Sequence, residues 1–315
     1  MNRKAIIFGI KGYKLSIKEK KFLKQEKPWG IILFSRNIKN IKQLKVLIQD
    51  IKNIFKFKHY PILIDQEGGV VSRLNKIINL SIFPQSYFGN LYKKDKKLFL
   101  KNFKIYIDST CHILNLLGIN INTVPVLDVR RKKSHKIIGN RSFSPDPAKV
   151  SKLGKLCINL YEKNNIATVI KHIPGHGLAR SDSHLSTPII NVKKRELVKK
   201  DFVPFKNNRS LFAMTSHIIY KSYDKFNVAT HSKTIIQKVI RKYMDYRGLI
   251  ISDDLCMKSL KYGLENNALK ALKAGCNLVL HCNGNIKEMR KLAKVIPNID
   301  KFTQKKTRQF YNFLM

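Results

Sequence analysis

The sequence predicts one α/β domain, a single (β/α)8 TIM barrel occupying residues 1–315, and three observations lead there. Eight short apolar runs rich in β-branched residues alternate with longer stretches of helical periodicity, the pattern of strands and helices around a parallel sheet. The chain length of 315 residues suits a single barrel, which needs about 250 residues plus loop insertions. Ionisable residues gather directly after the runs, at the strand ends where a barrel carries its chemistry.

Taken in order, the strands are predicted at 5–10, 31–34, 61–65, 119–127, 167–170, 211–215, 249–252 and 277–280. Helical periodicity fills 41–55, 93–117, 148–163, 233–244 and 286–295, with Ser232 placed to cap the fourth of these. Eight strands alternating with helices favour a closed barrel over an open doubly wound sheet. The strand ends carry Asp65 at the third run, Asp128 at the fourth, Lys171 and His172 at the fifth, and His217 at the sixth. Asp253 and Asp254 follow the seventh and His281 the eighth. Any one of these alone is as readily a solvated loop residue; it is their coincidence that points to a site.

Composition agrees with a globular protein. Hydrophobic residues make up 43% of the chain and no Pro/Gly/Ser-rich linker interrupts it, so a continuous core can form. The formal charge is +42, from 62 Lys+Arg against 20 Asp+Glu, which by itself would suggest a nucleic acid or an anionic membrane as partner. Only 13 of those 62 are arginine, and the lysines are scattered among many Ile and Asn residues instead of clustering. The charge therefore reads as codon bias expressed on a solvated surface. Neither nucleic acid nor membrane is expected as a partner. Cys111, Cys157, Cys256, Cys276 and Cys282 form an odd set without a CxxC pair, which suits a reducing compartment better than a disulfide framework. The apolar run before Lys11 is too short for a signal peptide, and no run reaches membrane-spanning length. A cytoplasmic location is the expectation.

Three segments carry the candidate chemistry. In LIDQEGGVVSRL (63–74), a strand ends on Asp65, which can accept hydrogen bonds from vicinal sugar hydroxyls; Arg73 reaches back over a glycine turn as a fork-shaped donor. KHIPGHG (171–177) followed by SDSHLSTP (181–188) crowds Lys171, His172, His176, Asp182 and His184 together. His172 and His176 have the i,i+4 spacing of metal ligands, but Pro174 and Gly175 between them break the helix that would align the rings, so no metal is expected. Asp182 and His184 form a carboxylate–imidazole pair, in which the imidazole can give and take a proton near neutrality. In GLIISDDLCM (248–257), an apolar strand delivers Asp253 and Asp254 to the barrel mouth. Strand alternation lets only one of the two face the barrel axis and does not say which.

These segments together resemble the cytoplasmic β-N-acetylglucosaminidase branch of glycoside hydrolase family 3. The resemblance extends through GIILFSRNI (30–38), VPVLDV (124–129), IIGNRSFSPDP (137–147), FAMTSHIIY (212–220) and ALKAGCNLVLHCNGN (271–285). It implies that Asp253 is the nucleophile of a retaining double displacement and that His184, supported by Asp182, is the acid/base. Asp65, Arg73, Arg141, Lys171 and His172 fall on positions that grip the sugar. The implied substrate is terminal β-1,4-linked N-acetylglucosamine on anhydro-N-acetylmuramic acid, a small molecule of peptidoglycan recycling, handled by a monomer without metal or organic cofactor. The chain departs from the family at Val70, where a basic residue is usual, at Ile173, where phenylalanine is usual, and at Cys256, where serine is usual. A β-glucosidase of the same family is the alternative activity, and a basic nucleic-acid or membrane-surface binder the alternative class.

Overall fold

The computed structural model describes residues 2–131, 137–179, 181–183 and 185–315. Eight parallel strands close into a barrel: β1 (Lys4–Gly9), β2 (Pro28–Leu33), β3 (Ile62–Ile64), β4 (Ile121–Asn122), β5 (Ala167–Ile173), β6 (Phe212–Thr215), β7 (Leu249–Asp254) and β8 (Leu278–His281). Closure is made by β1 against β8, with Ile6 opposite Val279 and Phe8 opposite His281. The strands are buried almost throughout, as a sheet packed on both faces requires.

The helices lie outside the strands and start where local chemistry directs them. Ser16 caps Ile17–Glu26 through a reciprocal pair with Glu19. Asn40 caps Ile41–Phe55, and Asn285 caps Ile286–Val295, each through its side-chain oxygen. Both of those helices have the predicted bounds. Ser232 accepts the Ile235 N–H at 3.1 Å at the head of the expected fourth helix, which is wound as a π-helix over Thr234–Tyr243. The helix expected over 93–117 is in fact the end of Gln85–Lys94 and the whole of Lys96–Leu117. Asp95 separates them: it adopts extended dihedrals and its carboxylate accepts the Leu98 N–H, so one residue ends one helix and begins the next. Among the described residues no helix is long and apolar enough to cross a membrane.

Three strands differ from their predicted bounds in ways that matter for the site. The run 119–127 is a strand only at Ile121–Asn122, because Pro125 has no N–H to give to the ladder. Pairing resumes where Leu127 N–H donates to the Lys171 carbonyl at 2.7 Å. β5 continues three residues beyond 170, so Lys171 and His172 sit on the strand itself and not on the loop after it. β7 likewise runs on through Asp253 and Asp254.

The opposite end of the barrel is closed by aromatic packing. Trp29 is fully buried, its ring centroid 5.5 Å from that of Phe212 and 6.3 Å from that of Phe310 on the C-terminal helix Lys301–Phe313. Its indole N–H donates to Thr307 Oγ1 at 2.9 Å, so the ring is satisfied as well as packed. Trp29→Ala is expected to destabilise the fold by about 3–5 kcal/mol, read as a lower urea midpoint; Phe302→Ala, half-exposed on the same helix, should stay within about 1 kcal/mol of wild type.

Candidate active site

The C-terminal ends of the strands surround one cavity of about 350 Å³. Asp65, Arg73, Arg141, Lys171, His172 and Asp253 all line it, although they come from segments as far apart as β3 and β7. Asp182 is described and half-buried; its carbonyl accepts the N–H groups of Leu185 and Ser186, each at 3.0 Å, in a tight turn. Ser183 beside it lines the cavity. His184, the expected acid/base, lies outside the described residues.

On one side of the cavity a charged network joins β3, the β4 end and β5. The Lys171 ammonium binds Asp65 closely, Glu67 at 2.6 Å and Thr123 Oγ1 at 3.1 Å. Arg73 holds the second Asp65 oxygen at 2.7 Å, and Thr123 donates to the first at 2.6 Å. Arg141 grips Glu67 with two parallel bonds of 2.8 Å, the bidentate geometry that favours arginine over lysine. Burial alone would raise both carboxyls. For Asp65 the cations Lys171 and Arg73 overcome it and hold the group well below the usual carboxylate range. Arg141 and Lys171 do the same for Glu67.

A second network holds the segment after β5. Asp128, fully buried, binds His172 Nδ1 at 2.6 Å and accepts the backbone N–H of His172 at 3.2 Å and of His176 at 2.6 Å. With Nδ1 committed to Asp128, His172 keeps Nε2 for whatever occupies the cavity. Burial and the nearby His172 ring push His176 down to about 4, so it is neutral at pH 7; its Nε2 meets Ser183 Oγ at 3.2 Å. Gly177 packs so tightly that a Cβ there would stand 2.0 Å from the Val129 carbonyl oxygen. The last glycine of KHIPGHG is thus a packing requirement.

Opposite these networks, Asp253 and Asp254 both line the cavity. The pairing is irregular here: Ile251 pairs with Leu278 but Asp254 pairs with Leu280, so β7 carries one extra residue at this point. Such a bulge re-aims side chains. The two carboxylates differ in what they serve. Asp254 Oδ1 accepts the N–H of Cys256 at 3.2 Å and of Cys282 at 3.1 Å, and burial raises its pKa despite those bonds. Asp253 Oδ1 accepts the backbone N–H of Asp254 at 2.8 Å. Beneath them His217 bridges Thr230 Oγ1 at 2.7 Å and the Asp254 carbonyl at 3.1 Å, and burial holds it below the usual imidazole range.

Sequence reasoning missed Glu67 and Thr123. Glu67 stands two residues after Asp65 in DQEGG, and that carboxylate pair was the available signal.

The model of the glycosyl hydrolase family 3 N terminal domain matches residues 5–309. A beta-hexosaminidase of Haemophilus influenzae is 32% identical over 287 residues, covering 89% of this chain and 79% of the relative. The native crystal structure of NagZ from Neisseria gonorrhoeae superposes with a TM-score of 0.83 at 28% identity, covering 100% of this chain and 96% of that one. A family 3 β-N-acetylglucosaminidase from Paenibacillus superposes at 0.87 with 24% identity, a likeness of fold; this chain spans 60% of that one.

Glu67→Ala leaves Arg141 and Lys171 buried without their shared carboxylate, and is expected to cost about 3–5 kcal/mol in urea unfolding. The pH dependence follows in sign. Asp65 and Glu67 have folded pKa values below their unfolded ones, so their contribution is present in full above the ordinary carboxylate range and is lost as pH falls below it toward the folded values. The wild-type midpoint should therefore drop as pH falls below about 4, and more steeply than that of Glu67→Ala.

Proposed function

The chain belongs to glycosyl hydrolase family 3, and from that premise we propose that it is a retaining exo-β-N-acetylglucosaminidase acting on terminal β-1,4-linked N-acetylglucosamine of peptidoglycan fragments. The observation that carries the reading is the placement of Asp253 on the same cavity as Asp65, Arg73, Arg141, Lys171 and His172. That puts a carboxylate opposite a set of donors and acceptors suited to sugar hydroxyls.

In this reading Asp253 attacks the anomeric carbon. The C1–carboxylate bond forms as the bond to the glycosidic oxygen breaks, and His184, supported by Asp182, gives that oxygen its proton. Water then attacks C1 and passes a proton to His184, and Asp253 departs as a carboxylate, so two inversions retain the configuration. Asp65, anchored by Lys171, Arg73 and Thr123, has both oxygens oriented before the sugar arrives; that pre-organisation limits the entropy lost on binding. Asp254, whose carboxylate serves two backbone N–H groups, is left to shape the strand end. Val70 is exposed on the rim beside Ile137 and Ile138 in the lining, an apolar edge for the second sugar and its peptide. The enzyme works as a monomeric single domain in the cytoplasm, on GlcNAc-anhydro-N-acetylmuramic acid and its peptides, with no metal in the chemical step.

A proton-NMR time course on a β-N-acetylglucosaminide should show the β-anomer first; the α-anomer appearing first would overturn the double displacement. Asp253→Asn should lower kcat by more than about a thousandfold, and Asp254→Asn far less. A nitrophenyl glucoside turned over faster than the nitrophenyl N-acetylglucosaminide would replace the proposed substrate with glucose.

A further inference from the structure

Cys256, His281 and Glu288 meet on the outer side of the barrel rim, and we propose that they form a binding site for one divalent thiophilic cation of the zinc class. The site is separate from the catalytic cavity. Leu280 and Cys282 line that cavity, so by strand alternation His281 between them points outward, where its ring meets Phe8 edge-on. Glu288 reaches in from the helix Ile286–Val295, and Cys256 from the segment that follows β7.

The donor atoms are already gathered. His281 Nε2 is 3.0 Å from Glu288 Oε2, Cys256 Sγ is 3.9 Å from the same oxygen, and all three ligand atoms lie within 4.8 Å of one another. Bonds of about 2.0–2.3 Å to a tetrahedral zinc place ligand atoms about 3.3–3.8 Å apart, so small side-chain shifts complete three corners. The fourth faces an open groove lined by Cys256, Asn283 and Glu288, leaving room for water. One sulfur, one imidazole and one carboxylate select against magnesium and calcium, which require oxygen ligands.

A further observation points to a cation here. Glu288, in a chain with 62 Lys+Arg, makes no ion pair with a lysine or arginine among the described residues; its partners are His281, Asn283, Asn285 and the Cys256 thiol. Burial together with the carboxylates of Asp254 and Glu288 pushes the Cys256 thiol up, an anionic setting that a dication relieves. Binding forms the metal–sulfur bond as the thiol proton leaves to solvent, one proton per cation. Because the N–H groups of Cys256 and Cys282 both hold Asp254 Oδ1, the bound cation cross-links the two segments flanking that carboxylate and stiffens the rim behind Asp253.

The test uses the full chain, stripped with a chelator and then titrated with Zn2+ against a chromophoric competitor and, separately, with Co2+. Wild type should take up one Zn2+, and its Co2+ adduct should show near-ultraviolet thiolate-to-metal charge transfer. Cys256→Ser should abolish that band, and both Cys256→Ser and the surface variant Glu288→Gln should weaken Zn2+ binding by at least about tenfold, with unchanged circular dichroism. Absence of the charge-transfer band in wild type, or undiminished Zn2+ affinity in both variants, overturns the proposal; the second result would place the cation elsewhere, for instance at Asp253.

Discussion

The mouth of the barrel is organised around one buried ammonium. Lys171 stands between Asp65, Glu67 and Thr123 and so joins three consecutive strand ends. Removing these charges from water costs several kcal/mol for each ion, and their attraction offsets that only when the geometry is held. The barrel holds it, since each group sits at or just beyond a strand whose register is fixed by its neighbours. Arg141 depends in turn on Glu67, and its Nη1 ties the Ile137 carbonyl at 3.2 Å, which anchors the loop after β4. Counting Asp65, Glu67, Lys171, Arg73 and Arg141, the cluster keeps a single net positive charge, so it remains attractive to electron-rich hydroxyls without a bound counter-ion.

What was legible in the sequence was what local chemistry decides. The helices over 41–55 and 286–295 were readable to the residue because an asparagine cap and an apolar stripe sit within one short window. The junction at Asp95 was not, because one residue both ends and begins a helix and the periodicity continues across it. The ionisable strand ends Asp65, Lys171, His172 and Asp253 were found because barrel geometry demands chemistry there. Glu67 was missed because its role exists only through Arg141, 74 residues away in the chain, and Lys171. The extra residue in β7 beside Asp253 and Asp254 was not legible for a similar reason: it is a property of the β7–β8 pairing and leaves no mark in either strand alone.

The charge balance gains meaning from where the acids lie. Of 20 Asp+Glu against 62 Lys+Arg, the carboxylates of Asp65, Glu67, Asp128, Asp253 and Asp254 are all placed around the mouth or directly beneath it. These five hold cations, backbone N–H groups or the cavity wall. A field of this sign favours the ionised form of every carboxylate and draws anionic ligands toward the protein.

The pair at the end of β7 shows how two adjacent carboxylates come to differ. Two such groups facing one cavity repel, and burial raises the cost of ionising both. Asp254 meets that cost with two backbone N–H groups, from Cys256 and Cys282, which fix its carboxylate in the wall. Its pKa is nonetheless raised, by burial first and by Asp253 beside it. Those N–H groups come from the segments following β7 and β8, so the Asp254 carboxylate is a clasp between strand ends. Asp253 accepts the adjoining N–H of Asp254 and lines the cavity beside it. The irregular pairing of β7 with β8 thus sets two adjacent carboxylates into one cavity wall, where a regular strand presents only alternate residues to the axis.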